Sequence, residues 1–285
     1  MRNTRKFQIA GWVVAACLSG IIGSPAQAKS TLTCTILDET GKPLGKEQII
    51  LVAPNGKEKK EKTNEDGLVQ FKGLDDGTYR IYGAIQGYVA SKSAPMELSG
   101  NAEKTCNYTI PSANYASTLL QDVLQLVKQK KFEEAEQKGQ KAVEVLPGEG
   151  GSHYVLAISH ASLGKEAEAL KHIQMAAELD PTKYKEVVTP VQLMALDTQA
   201  NQDLAKGNFD GAMQKYDAMK KVAPNDPTVY YNIAVALGRQ SKFDEALKEI
   251  DKAIEMKPQD TEFQQTKLRL QDMYLKSMDR KLEAK

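Results

Sequence analysis

The residues able to do chemistry are few. The chain holds three histidines, His153, His160 and His172, the first two seven positions apart. An imidazole becomes a metal ligand or a proton shuttle only with partners at fixed spacing. No cysteine or carboxylate stands beside these three in such a pattern, so the expectation is buried or groove histidines on helices, with no metal and no cofactor. No phosphate-binding glycine loop, H-E-x-x-H, C-x-x-C or G-x-S-x-G is present, and a catalytic role is not expected. The acidic pairs Glu65-Asp66 and Asp75-Asp76 lack the spaced acids of a calcium loop and read as turn residues. The run Lys57–Lys62 is interleaved with Glu58 and Glu61, which suits a solvated strand or hairpin rim. Lys and Arg number 38 against 37 Asp and Glu, so no basic excess points to a nucleic acid.

The three cysteines, Cys17, Cys34 and Cys106, acquire meaning from the first segment. Arg2, Arg5 and Lys6 precede an apolar stretch from Phe7 to Gly23, then Ser24-Pro25 and the triplet Ala26-Gln27-Ala28. That is the pattern of a signal peptide over residues 1–28, cleaved after Ala28. Two alternatives remain open. Val14-Ala15-Ala16-Cys17 has the form of a lipidation site, which would anchor a lipoprotein at Cys17. The apolar stretch is also just long enough for a retained anchor. Cleavage at Ala28 places the mature chain in the periplasm or outside the cell, with no integral membrane segment. It also leaves two cysteines, and an even count in an exported chain points to one disulfide, with two buried free thiols as the alternative.

The elements that must carry these residues divide the chain in two. Over residues 29–111 the pattern alternates: Leu32, Cys34 and Ile36 share one face, Thr31, Thr33 and Thr35 the other. Turn sequences recur at Asp38–Gly41, Pro54–Gly56, Asn64–Gly67 and Asp75–Gly77, and short β-rich runs lie between them. A β-sandwich is expected. The stretches Leu37–Leu44, Thr63–Gly67 and Phe71–Tyr79 resemble a carboxypeptidase regulatory-like domain. The resemblance implies a transthyretin-like sandwich and an accessory role. It also implies that the first and last strands can lie side by side, bringing Cys34 to Cys106.

Past a linker at 112–115 the signals become helical and repetitive. Val145-Leu146-Pro147, Leu179-Asp180-Pro181, Val222-Ala223-Pro224 and Met256-Lys257-Pro258 close four segments, with prolines spaced 34, 43 and 34 apart. Alanine stands twelve residues before each proline, at Ala135, Ala169, Ala212 and Ala246. Phe132, Glu166, Phe209 and Phe243 stand fifteen before. This pattern resembles the tetratricopeptide repeat, a helix–turn–helix unit of 34 residues, in four copies at 116–149, 150–183, 193–226 and 227–260. The extra residues Tyr184–Gln192 are expected to lengthen the first helix of the third unit and kink it near Pro190. Residues 261–285, with Phe263, Leu270, Met273, Tyr274 and Met278 in a stripe, are expected to form a capping helix. The fold class is therefore α+β multidomain, a β-sandwich followed by an all-α superhelix.

The resemblance implies a concave face lined by the first helix of each unit. The family's groove positions fall on Leu120, Leu124 and Val127, then Tyr154, Val155 and Ile158, then Asp197, Thr198 and Asn201, then Tyr231, Asn232, Val235 and Arg239. Apolar at one end and polar at the other, that surface would suit a peptide or protein segment with an apolar anchor. The function expected is a non-enzymatic interaction scaffold outside the cytoplasm, in envelope assembly or secretion. The rival reading is a surface or glycan-binding module acting through the β-sandwich, with the array as a stalk. Self-association through the groove is a further partner class.

Overall fold

The computed structural model describes residues 29–283, so the expected signal segment, its cleavage at Ala28 and Cys17 lie outside the described residues. Seven strands come first: β1 (Ser30–Leu37), β2 (Gln48–Val52), β3 (Glu58–Lys62), β4 (Leu68–Leu74), β5 (Gly77–Gly83), β6 (Met96–Leu98) and β7 (Glu103–Thr109). They form two sheets, ordered β4-β1-β7 and β3-β2-β5-β6. Alternation makes the layers: Leu32, Cys34, Ile36 and Phe71 from one sheet face Ile49, Leu51, Ile81 and Leu98 from the other, all essentially without solvent exposure. β1 and β7 run parallel with Cys34 directly opposite Cys106, and the two sulfurs are bonded at 2.04 Å. The charged run forms β3, exposed along its whole length at a sheet edge, where lysine discourages pairing with another chain.

Ten helices follow among the described residues: α1 (Ala113–Lys128), α2 (Phe132–Val145), α3 (Gly150–Ser162), α4 (Glu166–Leu179), α5 (Pro181–Tyr184), α6 (Val188–Ala205), α7 (Phe209–Val222), α8 (Pro227–Arg239), α9 (Phe243–Met256) and α10 (Thr261–Glu283). They pack as successive hairpins, α1/α2, α3/α4, α6/α7 and α8/α9, with α10 closing on α9. The repeat residues explain the geometry. Ala135, Ala169, Ala212 and Ala246 are fully buried, because two helices can approach closely only where a side chain is a single methyl. Phe132, Glu166, Phe209 and Phe243 each begin the second helix of a pair. The residues before the four prolines, Leu146, Asp180, Ala223 and Lys257, all leave helical geometry, with φ from −126° to −143° and ψ from 55° to 84°. A following proline ring forbids them the α region, so each second helix stops there.

Two expectations about boundaries need correction. The linker at 112–115 is helical from Ala113 onward, because the Ser112 hydroxyl accepts from the Tyr115 N–H and caps α1 in place. The insertion is not one kinked helix. It is the single turn α5, a 3-10 turn at Lys185–Val187 and then the 18-residue α6, with Pro190 in the first turn of α6, where its missing N–H costs nothing. The stripe of α10 is buried only in part: Phe263 and Leu270 pack under α8 and α9, while Met273 and Met278, with Leu268 and Leu275, stay exposed. No helix among the described residues is long and apolar enough to cross a membrane.

Candidate protein-binding groove

The first helices α1, α3, α6 and α8 carry the expected groove positions, and three separate clefts open among them and their neighbours. The first, about 420 Å³, is lined by Leu120 and Leu124 of α1, Tyr154 and Val155 of α3, and Lys183, Tyr184 and Val187 of the insertion. Two glycines shape it. A methyl on Gly150 would come within 2.8 Å of the Tyr184 ring, and one on Gly151 within 3.1 Å of Leu120. Bare backbone at the start of α3 is what lets Tyr184 stack on Tyr154, ring centroids 5.3 Å apart. Lys183 stands at the rim, its ammonium 5.3 Å from the Tyr184 ring centre.

The second cleft, about 780 Å³, runs between Val127 of α1, Leu163 after α3, and Met194, Thr198 and Asn201 of α6. The third, about 400 Å³, lies between α6 and α8, where Pro190, Leu193 and Met219 surround Asp197 and Asn232. Here the groove turns polar. The Asp197 carboxylate accepts from Asn232 Nδ2 at 2.7 Å and from Asn201 Nδ2 at 3.0 Å. Burial pushes its pKa above the usual carboxylate range, and the two amide donors oppose that shift. Beneath it Tyr216 is buried, and its phenol is pushed up to about 12 by desolvation first and by the Asp197 charge second. Two amides held by one carboxylate keep their remaining oxygens and N–H groups for a backbone laid across them.

Not every expected position lines these clefts. Val155 is almost wholly buried and offers only the floor of the first. Ile158 packs against the core of the second hairpin, and Val235 is half-buried; both lie outside the three clefts. Tyr231 is engaged by the capping helix: its hydroxyl donates to Glu262 Oε1 at 2.9 Å and its ring packs on Phe263 at 5.2 Å. Burial and that carboxylate raise its pKa. Arg239 is exposed at the end of α8. The residues that spacing did not reach are Lys183, Tyr184 and Val187. Tyr184 and Val187 were visible as helically spaced apolar positions, but the folding back of the insertion onto α1 and α3 carries no local signal.

His153 and His160 of α3 meet His172 of α4 between the two helices, and none of the three lines the clefts. No group of three or more His, Cys, Asp or Glu among the described residues is arranged to hold a metal ion.

Comparison with known proteins agrees with this architecture. Residues 203–270 match the family model of the tetratricopeptide repeat, and residues 30–112 match that of a prealbumin-like fold domain. No curated protein matches the chain. Among solved structures, the TIE protein of Bacillus anthracis is 29% identical over 29% of this chain and 16% of its own, with a TM-score of 0.26. BcpA, the major pilin subunit of Bacillus cereus, is 15% identical over 30% of this chain and 31% of its own, TM-score 0.25. MamA from Desulfovibrio magneticus RS-1 is 15% identical over 59% of this chain and 96% of its own, TM-score 0.32. The chain thus spans about a sixth of the first of these and a third of the second.

Proposed function

We propose that this chain, a prealbumin-like β-domain joined to a tetratricopeptide array, is an extracytoplasmic, non-enzymatic scaffold that holds a segment of a partner protein along α1, α3, α6 and α8. The observation that carries the reading is the pair of unlike clefts that the first helices help to line. An apolar, two-tyrosine cavity of about 420 Å³ takes a large side chain, and the Asp197–Asn232–Asn201 group supplies hydrogen bonds to backbone beside it. Export rests on the basic, apolar and small-residue order of residues 1–28, and the Cys34–Cys106 bond suits an oxidising compartment. A role in envelope assembly or secretion follows from that address.

The test begins with a photo-reactive side chain at position 124, which identifies the segment seated there in an envelope extract. Affinity for that segment as a synthetic peptide is then measured. Leu124→Glu and Asn232→Ala should each weaken it by about tenfold or more with unchanged circular dichroism. Equal affinity of wild type and both variants would remove the groove from the function. A segment that instead crosslinks only from the β-domain would favour the sandwich as the binding part.

A further inference from the structure

All three histidines of the chain meet in one seam of the second hairpin. His153 and His160 come from α3 and His172 from α4. His153 Nδ1 lies 3.1 Å from His172 Nδ1, and the rings are inclined by 22° with centroids 5.4 Å apart. That centroid distance is the nitrogen–nitrogen distance plus the two ring radii. The nitrogens therefore point at one another, edge to edge, and share one proton in an N–H···N bond. His153 Nε2 sits 3.3 Å from the Pro147 carbonyl oxygen, which can only accept, so that nitrogen carries a hydrogen. With both rings neutral, His153 Nδ1 is then the acceptor and His172 Nδ1–H the donor. His160 completes the row, its ring centroid 5.5 Å from that of His172.

We propose that this row is an acid-sensitive latch between α3 and α4: it holds the hairpin shut while the imidazoles are neutral and opens it when they take up protons. The geometry allows one proton between His153 and His172. A second, on His153 Nδ1, would set N–H against N–H and put two positive rings in contact. The His153 ring cannot turn away, because it is 2% exposed and its other nitrogen is tied to Pro147.

The groups around the row offset its charge in part at His160, through Glu136 and Glu168, while no acid faces His153 or His172. From α2, Glu136 Oε1 lies 3.1 Å from His160 Nδ1 but out of line for a hydrogen bond, and the same oxygen is held at 2.6 Å by Lys165 from the α3–α4 turn. From α4, Glu168 faces His160 and Lys171 faces His172. Burial depresses all three imidazoles, His172 to about 4, where the charges of His153 and His160 add to the effect. Below the ordinary value of 6.5 the unfolded chain therefore binds protons that the closed hairpin refuses. The latch is complete above pH 6.5 and its contribution drains away as pH falls toward about 4. It does not depend on what the groove holds.

Two measurements on the mature chain decide it. Histidine ring resonances followed from pH 8 to 3.5 should show His153 and His172 titrating together below 6.5. Amide exchange protection of α3 and α4, taken relative to α8 and α9, should fall about tenfold or more between pH 6.5 and 4.5. His172→Gln, which keeps an N–H donor and cannot charge, should abolish that selective loss. Independent titrations near 6.5, or equal loss in both hairpins, would overturn the latch. If His172→Gln does not fold, the wild-type titration and exchange decide alone.

Discussion

Asp197 shows what a single residue can reveal. Its carboxyl is held above the usual range chiefly by burial, so the folded chain keeps a proton that the unfolded chain releases first as pH rises. A raised folded-state pKa of this kind favours the fold at low pH, and the contribution is lost as pH rises above 3.8 through the folded value. At neutral pH the charge is therefore a cost. Asp197→Asn keeps the shape, removes the charge and should raise the thermal midpoint at pH 7 by a few degrees, about 1 kcal/mol. The same change should leave the midpoint near pH 3 almost unaltered. In the proposed groove it should also weaken the captured peptide, because one amide of the Asn232–Asn201 pair loses its charged acceptor. Scanning calorimetry at both pH values, beside the peptide titration, separates the two effects. A lower midpoint at pH 7 would mean that the carboxylate is structural.

At the scale of the element, the turn inside each hairpin tells why the repeats differ in quality. One residue per turn sits in left-handed geometry: Lys130 at φ 60°, Gly164 at 73°, Gly207 at 74° and Ser241 at 61°. Their spacing reproduces that of the prolines, so the backbone repeats even where the side chains do not. Glycine meets this conformation without cost, whereas Lys130 and Ser241 hold a Cβ against the following carbonyl. Lys130→Gly and Ser241→Gly should each stabilise the protein by up to about 1 kcal/mol in chemical denaturation. The two sites lie in the first and last hairpins, and their effects should add. A loss of stability would mean that the side chains repay the strain. In the third hairpin, Gln199 and Gln202 reach from α6 to the carbonyls of Gly164 and Leu163, so two polar side chains close the preceding turn.

For the molecule as a whole, the contact between β-domain and array sets how the two halves act. Val89 packs with Ala116, Val145 and Leu146, and the Gly148 N–H donates to Ser91 Oγ at 3.1 Å. Glu39 accepts from both the N–H and the hydroxyl of Ser112, which itself caps α1. The two carboxylate bonds hold Glu39 below its ordinary pKa against the opposing effect of burial. Gly148 is the tightest point: a methyl there would come within 2.7 Å of the Lys92 carbonyl oxygen. Gly148→Ala should therefore separate the halves without unfolding either. Small-angle scattering should show a larger radius of gyration, and proteolysis near Ser112 should quicken, while far-ultraviolet dichroism stays the same. Unchanged scattering and cleavage would mean that the loop at Ser91–Lys92 yields instead.

Residues that act through chain neighbours were legible in the sequence. Proline positions at intervals of 34, 43 and 34, and alanine twelve before each, determined the hairpins, because helix termination and close helix crossing depend on one residue and its neighbours. The alternation around Leu32–Ile36 and the turn glycines determined the sandwich in the same way. Tertiary structure decided what depends on distant segments. It folded Tyr184 back onto Tyr154, and it handed Tyr231 to Glu262 and Phe263 rather than to the groove. It also set His153 against His172, residues of different helices whose spacing gives no hint of a shared proton. Each of these pairings is fixed by where two helices stop and how closely their backbones approach, a quantity that belongs to the packed array and not to any window of sequence.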